Sequence, residues 1–242
     1  MNREPRRPNS ERRTPNLTAL LHLCDSIFPI GSFAYSDGLE SATSSGRVTT
    51  HDDLRAWLDA CLDETIGRME GPAVWRAWAA ARADDSSVLD ALDEELTALR
   101  PSSAGRKSSI AMGQRLLTTW SAIHPEPCPE RPFDSPAFES SLRAGPVLPV
   151  AFAIVCSSSG VERRDAVEAY AYTRLAATVS AAMRLMALGQ TAAHALLART
   201  LDRIPTVVDD IARLDARIES FTPALDIAAM TQQYVHSRLF RS

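Results

Sequence analysis

RRDAVEAYAYTRLAATVSAAMRLMAL, residues Arg163 to Leu188, runs 26 positions without a proline or a glycine. Its apolar residues recur at helical spacing and its polar ones are few, so it reads as one long, weakly polar helix. The many Ala and Ser side chains let neighbouring helices approach closely, as expected of the central helix of a bundle. Gly189 breaks the pattern and Thr191 to Leu201 resumes it. Upstream, Val150 to Ser157 is continuously apolar, which alone fits a buried strand or a buried helix; its Ala content and helical neighbours favour helix. Downstream, Val207 to Glu219 is amphipathic, and Phe221-Thr222-Pro223 separates it from a C-terminal segment.

The N-terminal half repeats the theme. Leu17 to Leu23 is a short apolar helix that stops before Pro29, and FPIGSFAYSDGLES (Phe28 to Ser41) interrupts with turn-forming residues. Thr49-Thr50-His51-Asp52 offers capping groups, and DDLRAWLDACLDETIGRM places Leu54, Trp57, Leu58, Cys61, Leu62 and Ile66 on one helical face. Gly71-Pro72 is predicted to end or kink that helix, because proline lacks the backbone donor. Further helices are expected over Val74–Ala83, Val88–Leu99 and Arg106–Trp120. HPEPCPERPFDSP, with Pro146 and Pro149 beside it, holds seven of the fifteen prolines and reads as a long exposed loop. No internal repeat appears. The fold expected is all-α: a single-domain helical bundle of about ten helices over residues 17–222, a flexible basic tail over 1–16, and a separate C-terminal tail over 223–242.

Composition narrows the function. Only 6% of residues are aromatic and the chain has ten glycines, which argues against a sandwich or barrel. A net charge of −4 does not suit a nucleic-acid binder; the five arginines in the first thirteen residues sit among Pro, Asn and Glu as in a flexible tail. Cys24, Cys61, Cys128 and Cys156 are far apart and form neither a zinc spacing nor a disulfide framework. With no secretory leader and no apolar run of eighteen residues, the expected location is the cytoplasm, with reduced thiols and no membrane contact.

Catalytic chemistry is not legible. GRKSS (Gly105 to Ser109) resembles the end of a phosphate loop, but Arg100 stands where the first glycine belongs and Arg106 intrudes before Lys107. His22 and Cys24, two apart on a helix, face different directions. His51, Asp52 and Asp53 read as a helix cap, His194 as a helix-face residue, and His124 and His236 have no partner that the sequence names. Ser32, Tyr35, Ser36 and Asp37 lack a nucleophile elbow and an identifiable base. No catalytic residue, metal ligand or cofactor is assigned.

LLHLCDSIFPIGSFAYSDGLESATSSGRV taken whole resembles the N-terminal signature of the urease accessory protein UreF family, through Pro29, Gly31, Phe33, Tyr35, Ser36, Gly38, Leu39 and Glu40. Three further stretches agree in order. RKSSIAMGQRLL matches through Arg106, Ser109, Met112 and Gly113. AYTRLAATVSAAMRLMALGQTAAHALL matches through Ser180, Ala181, Arg184, Leu185, Leu188, Gly189, Gln190 and Thr191. PALDIAAMTQQYVHSRLFRS matches through Asp226, Ile227, Met230, Ser237, Arg238, Leu239, Phe240, Arg241 and Ser242. Val147, Ala192-Ala193 and Thr231-Gln232-Gln233 depart from the family pattern, which is expected to remove polar contacts.

The resemblance implies a homodimeric, non-enzymatic protein that binds a UreD-type (UreH) scaffold and the GTPase UreG and helps pass nickel to apo-urease. It implies partner-binding roles for Tyr35, Ser36, Gly38, Glu40, Arg106, Ser109, Gln190, Tyr234, Arg238, Leu239, Phe240 and Arg241. An alternative is regulation of UreG's GTP hydrolysis through Arg106 or a tail arginine. Read physically, Phe33, Tyr35 and Leu39 would anchor the loop on the core or at an interface. Glu40 would open a helical turn, or pair with an arginine of the GTPase. In the tail, Ile227, Met230, Tyr234 and Leu239 fall near one stripe, which could fold into a partner's groove or pack back on its own domain.

Overall fold

The computed structural model describes residues 17–124 and 145–241; the basic tail 1–16, most of the proline-rich loop including Cys128, and Ser242 lie outside them. Every regular element among the described residues is helical. Besides two short 3-10 turns, Ser32–Ala34 and Gln232–Tyr234, they are in chain order α1 (Leu17–Leu23), α2 (Leu39–Ser44), α3 (His51–Ala60), a π-helix (Cys61–Glu70), α4 (Gly71–Arg82), α5 (Ser86–Leu99), α6 (Ser103–Ile123), α7 (Leu148–Ser158), α8 (Arg163–Leu185), α9 (Gln190–Leu201), α10 (Ile204–Arg213) and α11 (Pro223–Thr231). None is long and apolar enough to cross a membrane.

The centre of the bundle is α7, not the long helix expected there. LPVAFAIVCSS has no polar face, and all eleven of its residues are buried. Helices α4, α5, α6 and α8 surround it. Helix α8 buries Ala166, Tyr170, Leu175 and Val179 but keeps a solvent side, and it ends at Leu185 instead of Leu188. Close contact between α6 and α7 depends on Gly113: a Cβ there would stand 2.0 Å from the Pro146 carbonyl oxygen. The start of α7 is fixed by two side chains. The Val147 N–H donates to Asp93 Oδ1 (2.6 Å), and the Leu148 N–H to Ser109 Oγ (3.1 Å).

Gly71-Pro72 does not end its helix. The backbone runs helically from His51 to Arg82, widened to a π-helix over the ten residues before Gly71, whose N–H reaches back to the Ile66 carbonyl. The wider turn relieves the clash of the proline ring with the preceding turn. A regular helix would pair residue 72 with the Arg68 carbonyl; here that oxygen accepts the Glu219 N–H (2.8 Å). Glu219 is free to do so because α10 stops at Arg213, short of the expected Glu219. Asp215 (φ +53°) and Ala216 (φ +50°) then turn the chain away through left-handed backbone. The capping prediction at Thr50 holds: its hydroxyl accepts the Asp53 N–H (3.1 Å) while Asp53 Oδ2 accepts the Thr50 N–H (2.9 Å).

Candidate partner-binding site

The N-terminal signature and the C-terminal segment, about two hundred residues apart in sequence, form one surface. At its centre the Gln232 side-chain oxygen accepts from Ser36 Oγ (3.0 Å) and from the Gly38 N–H (2.9 Å). The same amide donates to the Arg241 carbonyl (3.3 Å). Ser41 and Thr231 share a hydroxyl–hydroxyl bond of 2.8 Å, and the Arg241 N–H donates to the Ala34 carbonyl (2.8 Å). Gly38 (φ +91°) is needed twice over. Its backbone is left-handed, and a Cβ would lie 2.6 Å from the Ala229 nitrogen. Thr231 and Gln232, departures expected to remove polar contacts, thus supply the ones that hold the segment.

Glu40 lies in the first turn of α2, as expected, but its carboxylate is buried and turned to the C-terminus. It accepts the backbone N–H groups of Leu239 and Phe240 (3.4 Å for the latter). Phe240 is buried, with the Arg184 guanidinium 4.2 Å from its ring centroid; that arginine also donates to the Phe33 carbonyl (3.0 Å). The C-terminal segment therefore packs on its own domain through Ala228, Gln232 and Phe240. Its predicted apolar stripe faces outward: Ile227 is 47% exposed, Met230 46%, Tyr234 78% and Leu239 60%. Phe33, one of three residues expected to anchor the loop, is 69% exposed, its carbonyl sharing Arg184 with the Phe240 ring, whereas Leu39 is in the core.

Beneath this surface lies a cleft of about 110 Å³ that opens to solvent. Tyr35 and Asp37 of the loop, Cys61 and Glu70 of the π-helix, Arg100, Arg174 and Asp226 line it. Its wall carries a charged cluster that the sequence did not announce, because its members come from four separate elements. Glu70, 1% exposed, accepts from Arg100 and from the Tyr170 hydroxyl (2.9 Å), and forms an ion pair with Arg174, whose Nε stands 3.4 Å away. Arg174 also pairs with Asp37. Arg100 Nε has no partner among the described residues. Burial alone would push the Glu70 carboxyl up, but the Arg174 and Arg100 charges and the hydrogen bonds from Arg100 and Tyr170 outweigh it and hold it below the usual range. Burial and the Glu70 charge together push the Tyr170 phenol well up, so it is a neutral donor. Burial, reinforced by Asp37, pushes the Cys61 thiol up to about 12, so it is no thiolate at neutral pH.

Of the other residues assigned partner roles, Arg106 is half-buried and donates to the carbonyls of Arg100 and Pro101. Ser109 is buried against the start of α7. Gln190 is exposed at the opening of α9, outside the cleft lining. Arg238 is exposed within the C-terminal segment. The structure thus brings Tyr35, Ser36, Gly38, Glu40, Phe240 and Arg241 together, with Tyr234 and Leu239 on the outer face, and leaves Ser109 and Gln190 elsewhere.

A family model for UreF matches residues 48–201. The chain is 33% identical over 241 residues to the urease accessory protein UreF of Methylibium petroleiphilum, covering 98% of each. It is 32% identical over 232 residues to that of Azoarcus sp., covering 93% of this chain and 95% of the relative. Against the UreF of Nostoc sp. the identity is 30% over 224 residues, covering 92% and 94%.

Proposed function

This chain belongs to the UreF family of urease accessory proteins, whose part is in urease maturation, and we propose that it acts there as a non-enzymatic adaptor. In this reading a cytoplasmic homodimer joins a UreD-type (UreH) scaffold to the GTPase UreG, and the assembly inserts nickel into apo-urease. The observation that carries the adaptor role is the joint surface of loop and C-terminal segment. Phe33, Ile227, Met230, Tyr234 and Leu239, large and apolar, lie outward on a scaffold of specific internal hydrogen bonds. A monomer gains nothing by exposing such a set, whereas a partner that covers it gains the full value of its burial. Tyr234 and the loop's Tyr35 keep polar tips for specificity. The reading of Arg106 as an arginine offered to the GTPase is less favoured, since its guanidinium is engaged by two backbone carbonyls of its own chain.

Replacing Tyr234 and Leu239 together by Ala tests this directly, because both are exposed and neither side chain supports the core. The melting temperature should stay within about 2 °C of the parent. Co-elution with the UreD-type scaffold should weaken at least tenfold, as for the loss of two central apolar anchors. Undiminished co-elution would contradict the assignment of this face.

A further inference from the structure

We infer that Glu70 is a positioning residue: its carboxylate sets the cleft in which the C-terminal segment docks, although it touches no residue of that segment. The cleft has two edges, and both meet the same residue. On one edge the backbone of Gly38 abuts the Ala229 nitrogen. On the other, Ser102 Oγ donates to the Ala229 carbonyl (3.3 Å) while accepting the Gly105 N–H (3.1 Å) that opens α6.

Each edge is tied to Glu70 through one arginine. Towards the loop, Arg174 forms ion pairs with Glu70 and with Asp37, a non-glycine residue at φ +48° directly before Gly38. That turn places two consecutive residues in left-handed backbone; Gln232 of the C-terminal segment holds it from one side, and the ion pair to Arg174 holds it from the body of the domain. Towards the turn, Arg100 pairs with Glu70, and its own carbonyl accepts from Arg106, fixing the chain two residues before Ser102. Both arginine side chains are 15% exposed and the Glu70 side chain 1%.

Without the carboxylate, two buried like charges would share one wall with nothing between them. The cheapest relief is for each guanidinium to move toward solvent, carrying the Asp37 turn and the Arg100–Ser102 turn apart. The cleft then loses the spacing that lets Gly38 and Ser102 close on Ala229. Buried acids that pair two arginines are commonly read as core stabilisers; here the carboxylate stands between two turns outside the helical core, which gives it a local effect.

The experiment is hydrogen–deuterium exchange by mass spectrometry on the full chain, comparing the parent with Glu70→Gln and Asp37→Asn. Asparagine tolerates the left-handed backbone, so the second variant removes only the loop-side pairing. Glu70→Gln should raise exchange at residues 36–42 and 224–241 by about tenfold or more, as for a lost buried partner, with α7 unchanged. Asp37→Asn should raise the same segments to a lesser degree. Unchanged exchange there, or a rise spread evenly through α7, overturns the inference. If Glu70→Gln does not fold, Asp37→Asn decides: parent-like exchange in both segments overturns it. Only the consequence for assembly rests on the adaptor reading. Should Glu70→Gln free the segment while the UreD-type scaffold binds as before, the joint-surface reading fails and the positioning role stands.

Discussion

Gly38 and Gly113 are both places where a Cβ does not fit, yet they guard different things. At Gly113 the obstruction is the Pro146 carbonyl, between two core helices that cannot separate. At Gly38 it is the Ala229 backbone, on a segment that can leave. Gly113→Ala should therefore cost about 1–3 kcal/mol of global stability, as overpacking does, visible as a lowered melting temperature. Gly38→Ala adds left-handed strain of about 1–2 kcal/mol; undocking the C-terminus removes the clash with Ala229 and also the Gln232 bond to the residue-38 N–H, which frees the loop to leave that backbone conformation. Limited proteolysis should then cut after residue 222 at least tenfold faster while the melting temperature moves little. Equal melting shifts for the two variants would count against this division. Gly38 was legible in the sequence as a turn glycine. Its second reason, the approach of Ala229, was not, because nothing local marks a contact across about two hundred residues.

At the scale of elements, legibility followed locality. The capping box at Thr50 and Asp53 was readable because both partners lie within one turn. Hydrogen bonds from the Thr49 and Thr50 backbones, and then from the Thr50 hydroxyl, lower the Asp53 pKa from 3.8 to about 2. A depressed carboxyl stabilises the fold fully above its ordinary pKa and loses that contribution as the pH falls through the folded value. Asp53→Asn should thus melt below the parent at pH 7, and the gap should narrow between pH 3.8 and about 2. A gap that stays constant across that range would show that the charge is not what caps α3. The π-helix was not readable, since the widened turn depends on the Glu219 N–H replacing the donor that Pro72 lacks. The end of α10 was misjudged for the same reason: amphipathic periodicity continues past Arg213, but the left-handed turn at Asp215 and Ala216 releases the chain toward Arg68.

In the whole molecule, the all-α architecture was evident from long runs of Ala and Leu without Gly or Pro. Which helix lies at the centre was not, because length suggested α8 while the absence of any polar face put α7 there. The surface proposed for the partner was half legible. Tyr35, Ser36, Gly38, Glu40 and Phe240 were singled out and meet in space, whereas Gln232, which holds them together, stood among the departures. The Glu70 cluster escaped notice because a lone Glu in a helical run carries no signal until Arg100, Tyr170 and Arg174 are folded around it.

Assembly with its partners decides whether this chain is an adaptor. The measurement to make is size-exclusion chromatography with light scattering, with the UreD-type scaffold and UreG added to the intact chain and to one ending at Thr222. The intact chain is expected to form a stable complex containing both partners, and the truncated chain, although folded, to form none. A truncated chain that assembles as well as the intact one would contradict the claim that loop and C-terminal segment together form the partner surface.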